Sequence, residues 1–359
     1  MKNIGKISSF QMFSILFLCR IISLFTFMLP SASYIPSGDR ILTSFTVFLF
    51  EVLYCLVLIF TLKRTESQGI IIPLREKSAF LSKLIAVIYT LAFIWFAGIG
   101  TARFELFIST VMFPNSELYI MIILLLGASF YASLKGIEAI GRTSAVLFFI
   151  LGASIVFILF SVSGEFRYEN LSPLLTEGIS PLISFSFYVS VRAGELLTLF
   201  ITAPHINGNI GKTALSFSAV FSAVSSVILL VLAGVTGEYG NDQIFPLYTL
   251  TVIAKFGIFE RLDDILTGIW VLCSFIQVSF LIYTGMNALT QGFGKIKKLP
   301  VCFMITAGIF TVYILTSRTV AVFSETVSSR AVDAVFIALM LIIPVITALT
   351  VRKKRRGKI

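Results

Sequence analysis

Ten apolar runs, each about one bilayer long, constrain this chain more than any other feature. They cover residues 10–29, 41–62, 84–102, 118–134 and 143–162, then 179–201, 213–235, 265–286, 300–315 and 334–351. A hydrocarbon core of ~30 Å takes ~20 residues of helix. Lipid offers no hydrogen bonds, so each run must satisfy its own backbone as a helix. Pro30, Pro36, Pro114, Pro173 and Pro204 fall between runs, where they stop helices. Apolar residues make up 57% of the chain and charged residues 13%. Soluble domains run near ~45–50% and ~25%, and a globule of this size could not hide such a surplus. The expected fold class is therefore an all-α polytopic membrane protein with ten transmembrane helices. A soluble enzyme, a disulfide scaffold and a disordered chain are excluded.

The formal net charge of +10 could signal nucleic acid, but its placement argues for a membrane. The N-terminus, the 2–3, 4–5, 6–7 and 8–9 loops and the C-terminus carry 19 Lys and Arg, against 7 in the opposite loops. That bias places both termini in the cytoplasm and the loops at Arg40, Arg167 and Lys255 outside. No nucleic-acid partner is expected. Cys19, Cys55, Cys273 and Cys302 all lie in apolar runs and read as packing residues. His205, the single histidine, reads as a loop residue. The first run is a full span with no small-residue cleavage site after it, so a cleavable signal is not expected.

The chain reads as one integral membrane domain, 1–359, ending in a basic cytoplasmic tail at 352–359. Two segments do not span. Residues 75–83 (REKSAFLSK) are charged and amphipathic and should lie on the cytoplasmic membrane surface. Residues 245–259 (FPLYTLTVIAKFGIF) should form a short re-entrant or interfacial helix on the outer side.

Four charges fall inside the runs: Arg20, Glu51, Arg192 and Glu195. Each costs ~2.5–3.5 kcal/mol at mid-membrane, so each needs a partner or a watered cavity. Arg20 and Glu51 sit centrally in their runs, too deep to snorkel out. Arg192 and Glu195 stand three apart. Either they form a local ion pair, or residues 189–195 are a kinked stretch facing a cavity, with Gly194 adding backbone freedom. If the runs are two repeats of five, about 8–163 and 179–351, runs one and six correspond. Paired broken helices in inverted repeats form a midplane binding site. On that reading spans one, three, six and eight surround a polar pocket, with 189–195 facing residues 18–23. The candidate ligand-binding residues are Arg20, Glu51, Arg192, Gly194 and Glu195. Arg103, Glu105, Glu138, Arg142, Gln277, Asn287 and the acidic cluster Glu260, Asp263 and Asp264 with Arg261 read as solvated or structural.

At these residues a family resemblance emerges. LKGIEAIGR, ending at Arg142, resembles the KGIE-x-IAR signature between spans four and five of the spore germination permease family. Those proteins are GerAB-type B subunits of nutrient germinant receptors, within the amino acid/polyamine/organocation superfamily. NLSPLL at 170–175 resembles that family's NLLPVL segment, and Gly194-Glu195 matches its span-six pair. Residues 245–270 are similar to its YP-x-L…ERLD…W block at Pro246, Glu260, Arg261, Leu262, Asp263 and Trp270. Arg103 and Glu105 echo its span-three end. The resemblance runs from Lys6 to the tenth span. It departs at Pro114-Asn115-Ser116 and at Ser190-Val191-Arg192-Ala193, where the family has Thr-Pro and Phe-Pro-Phe. It implies the 5+5 inverted-repeat, LeuT-like transporter fold with broken helices one and six. It also implies an inner-membrane location in an endospore former, partner A and C subunits, and sensing of a small nutrient such as an amino acid.

Two functions compete: a receptor subunit that binds a nutrient and signals to partners, and an ion-coupled permease with Glu51 or Glu195 as a proton site. A purely structural subunit would leave the four intramembrane charges unexplained. No nucleophile–base pair or metal cluster converges, so neither enzymatic activity nor a cofactor is expected.

Overall fold

The apolar runs become helices. A computed structural model describes residues 5–25, 35–112, 118–241, 243–254, 263–317 and 319–351. Among these, eight helices are long and apolar enough to cross a membrane. Two shorter apolar helices, Ser9–Leu24 and Tyr119–Lys135, stand at the first and fourth runs. In chain order the first half holds α1 (Ser9–Phe25), α2 (Asp39–Arg64), the short α3 (Ile71–Lys77), α4 (Ala79–Phe107), α5 (Tyr119–Lys135) and α6 (Ile137–Ser161). The second half holds α7 (Ile179–Val191), α8 (Glu195–Thr202), α9 (Ile210–Thr236), α10 (Pro246–Ile253), α11 (Asp263–Phe293) and α12 (Lys298–Thr316). The last span is built from α13 (Val320–Val327), α14 (Arg330–Ile337) and α15 (Ile343–Thr350). A two-residue parallel ladder, β1 (Ile7–Ser8) with β2 (Ile206–Asn207), ties the N-terminal segment to the end of span six. Nothing in the hydropathy pattern anticipates it.

Several boundaries differ from the sequence reading. Residues 75–83 are not one surface helix. α3 ends at Lys77, Ser78 is extended, and its hydroxyl accepts from the Leu81 N–H at 3.3 Å. That N-cap starts α4 at Ala79, so Phe80 to Lys83 belong to span three. The apolar residues Ile71, Pro73 and Leu74 bury α3. Span three also runs past Ala102 through Phe107 and a π-helical turn, Ile108–Met112. Span ten begins well before Ala334. Its π-helical turn Ala338–Ile342 lies just ahead of Pro344. Proline clashes with the carbonyl four residues back, and a widened turn accommodates that. α1 is continuous to Phe25, so span one has no break among the described residues. The rest of its run, with Pro30, lies outside them, as do Pro114, Lys255, Glu260, Arg261, Leu262 and the tail 352–359. Of the segment 245–259, the first part is the expected short helix, α10, opened by Pro246 and burying Leu247 and Leu250.

The packing separates a centre from a rim. α11 lies along α4, α2 along both α9 and α7, and α1 along α6. The apolar stretch of α11 is 78% buried, against 28% for α6 and for α12. α11 is therefore the central post, and α6 and α12 face outward. On α2, Phe45, Leu49, Leu53, Leu56 and Phe60 form an exposed apolar stripe at helical spacing. A water-soluble surface would not carry it, whereas lipid covers it without cost. The molecule is a multi-pass membrane protein. All four cysteines are buried and unbridged.

Candidate functional site

Span six breaks within the stretch that the sequence marks. α7 ends at Val191 and α8 starts at Glu195. Across the gap, N–H groups bond carbonyls three residues back: Ala193 to Ser190, Leu196 to Ala193 and Leu197 to Gly194. Gly194 has φ −60°, an ordinary helical value. It is glycine for space rather than for backbone freedom. A Cβ there would stand 1.9 Å from Cζ of Phe96 on α4. The aromatic ring thus lies directly on the broken backbone.

The midplane charges meet at this break. Arg20, 3% exposed, donates from Nη2 to Glu51 Oε1 at 3.1 Å and to the Val189 carbonyl at 3.4 Å. Its Nη1 lies 3.5 Å from Glu195 Oε2, and its guanidinium faces the Phe221 ring. One arginine therefore serves two carboxylates. Arg192 takes a different partner. It pairs with Asp333 on α14 at 2.8 Å and stacks over Tyr188 at 3.5 Å from the ring centroid. Of the two alternatives for Arg192 and Glu195, the local ion pair is not formed. Three-residue spacing puts two side chains together only on an unbroken helix, and the break turns these two to different neighbours. Tyr188 and Ser328 share a hydrogen bond at 3.3 Å, joining span six to the α13–α14 junction.

Arg20, Glu51, Tyr188, Arg192, Glu195 and Phe221 line a cavity of about 160 Å³. Spans one, three, six and eight contribute, as expected, through Arg20, Trp95, Tyr188 and Gln277. Span two adds Glu51 and Thr43, span seven Phe221 and Ser225, and span ten Val332 and Phe336. Arg20, Glu51, Arg192 and Glu195 all reach its wall, while Gly194 supports it from behind, against Phe96.

Two readings of surrounding residues change. Arg103 and Gln277 are cavity-lining rather than peripheral. The third apolar run stops at Ala102, but α4 continues to Phe107 and keeps Arg103 inside. Gln277 donates to the Cys19 carbonyl at 3.2 Å and approaches α4 because residue 100 is glycine. Asp333 stands one residue before the tenth apolar run, so the count of charges inside the runs does not include it. A charge adjoining a run, opposite an unmatched intramembrane arginine, was the signal available. Glu138 and Arg142 form the exposed pair expected of their spacing, at 3.6 Å.

The family profile described as spore germination protein matches residues 6–321, ending at the start of α13. A relative, spore germination protein KB of Bacillus subtilis (strain 168), is 28% identical over 240 residues. That match covers 64% of this chain and 64% of the relative, just under two thirds of its length. Among solved structures, the fold resembles Mhp1, a nucleobase-cation-symport-1 family transporter in a closed conformation with bromovinylhydantoin bound. The TM-score is 0.69 at 12% identity, covering 95% of this chain and 78% of that one. It also resembles MhsT in complex with L-phenylalanine, with a TM-score of 0.57 at 12% identity, covering 94% and 87%. The architecture is thus the LeuT-like transporter fold, and a match from residue 6 to 321 settles the lineage: the chain belongs to the spore germination protein family.

Proposed function

We propose that this chain is the membrane subunit of a spore germinant receptor. In this reading it holds a small nutrient, such as an amino acid, in the cavity at the span-six break. It then passes a conformational change to partner A and C subunits in the spore inner membrane. The carrying observation is the buried ion cluster, Arg20 with Glu51 and Glu195, set against a broken helix in a cavity. A cavity of about 160 Å³ suits a small solute, since pockets for drug-sized ligands run to ~300–1,000 Å³. Family membership and the transporter fold support the same reading. The halves at about 8–163 and 179–351 act as inverted repeats, with both termini cytoplasmic. Arg20, Glu51, Arg192 and Glu195 surround the ligand, and Gly194 keeps the break open beside them.

A second reading, an ion-coupled permease, draws on one observation: Glu51 and Glu195 share a single arginine inside the membrane, an arrangement suited to proton exchange. The two readings part in experiment. For the receptor, deleting this gene, or either partner gene, abolishes the spore's response to the same nutrient. A response that persists without the partners overturns it. Gradient-driven accumulation of labelled nutrient by proteoliposomes carrying this chain alone supports the permease.

A further inference from the structure

The charges around the cavity do not cancel locally. Arg192 is matched by Asp333, and Arg20 is shared by Glu51 and Glu195. Arg103 also lines the cavity, yet no carboxylate among the described residues lies within ion-pair distance of it. Its Nε is buried without a hydrogen-bond partner. Glu195 Oε2, in the same lining, is likewise buried without a hydrogen-bond partner, 3.5 Å from Arg20. The lining therefore holds one guanidinium with no carboxylate at ion-pair distance, and two carboxylates that share one arginine. A buried charge is tolerated only when something pairs with it.

The placement of Arg103 is systematic. Phe96, Ile99, Gly100 and Arg103 follow at i, i+3, i+4 and i+7 on α4 and all line the cavity. The same helix face thus packs on the span-six break through Phe96, admits Gln277 at Gly100 and ends in the guanidinium.

We infer that Arg103 is the anchor for a ligand carboxylate, while the Glu51–Glu195 side receives the ligand's cationic group. The inference rests on the nutrient-binding reading above and gives the bound molecule a direction. It also assigns the carboxylate to Arg103 rather than to Arg192 or Arg20, whose charges the chain already engages. A guanidinium grips a carboxylate through two parallel N–H donors, which a neutral carboxamide cannot replace.

The test uses purified full-length protein and equilibrium binding of L-alanine, L-leucine and L-phenylalanine, each beside its carboxamide. Wild type should bind at least one acid, with the matching amide weaker by about tenfold or more. Arg103→Gln should bring acid and amide to about equal affinity. Arg192→Gln, if it weakens binding, should leave the acid-to-amide ratio unchanged. An acid that binds no better than its amide, or a ratio unaffected by Arg103→Gln, overturns the anchor while leaving nutrient binding intact. If no acid binds wild type, the nutrient-binding reading falls and the anchor falls with it. Should Arg103→Gln fail to fold, Arg103→Lys takes its place: it keeps the charge but loses the paired donors, so the acid-to-amide ratio should fall, and an unchanged ratio overturns the anchor.

Discussion

Gly194→Ala isolates the contact that shapes the site. The new methyl would stand 1.9 Å from Phe96 Cζ and 2.2 Å from Cε2. Carbon atoms rest at ~3.5–4.0 Å, so the ring must retreat by about 1.5–2 Å. Phe96 is also stacked on the buried Phe336, with centroids 4.4 Å apart, so a shift of the ring disturbs that contact as well. Overpacking of this kind costs ~1–3 kcal/mol. Alanine at a helical φ recovers ~0.4–1 kcal/mol from the unfolded chain, so the steric cost wins by about 1–2 kcal/mol. Thermal unfolding of the purified protein in detergent should register the loss. In a Phe96→Ala background the same glycine change should cost nothing, because the methyl then enters free space. Equal destabilisation in both backgrounds would refute the steric account, as would a wild-type background that tolerates alanine.

The two carboxylates beside Arg20 should differ. Glu51→Gln, which removes the 3.1 Å partner, should lower abundance and melting temperature more than Glu195→Gln, which removes the 3.5 Å one; immunoblots and thermal scans compare them. Arg20→Gln strands both acids and should cost ~3–5 kcal/mol, read as the largest drop in melting temperature of the three. Arg192→Gln and Asp333→Asn should be coupled by about 0.5–3 kcal/mol in a double-mutant cycle, and strict additivity would deny the pair. Cysteine accessibility should place a reporter at Lys354 in the cytoplasm, and an external signal would overturn the charge-based topology.

Hydropathy made the spans legible because lipid forces each run into a helix, so run length alone carries the signal. It located their centres better than their ends. Ser78 caps α4 with a hydroxyl, and Pro344 sits behind a π-helical turn; both are local backbone chemistry that hydropathy does not weigh. Arg20, Glu51, Arg192 and Glu195 stood out because charge in an apolar run is costly wherever it points. Their pairing was not legible. Which acid meets which arginine depends on how the break turns residues 192–195, and on span ten arriving from more than a hundred residues downstream. Gly194 supplies space rather than backbone freedom, and that requirement comes from Phe96 on another helix, which the local sequence does not show. Arg103 reads as peripheral from hydropathy because the apolar run stops at Ala102 while the helix continues to Phe107.

Calorimetric titration of small amino acids into the purified full-length chain, wild type beside Glu195→Gln, tests the central claim most directly. The cavity at the span-six break should take up at least one of them saturably, and Glu195→Gln should weaken that binding while the protein remains folded and abundant. No saturable binding to wild type, or identical isotherms for the two proteins, would contradict a nutrient site at this break.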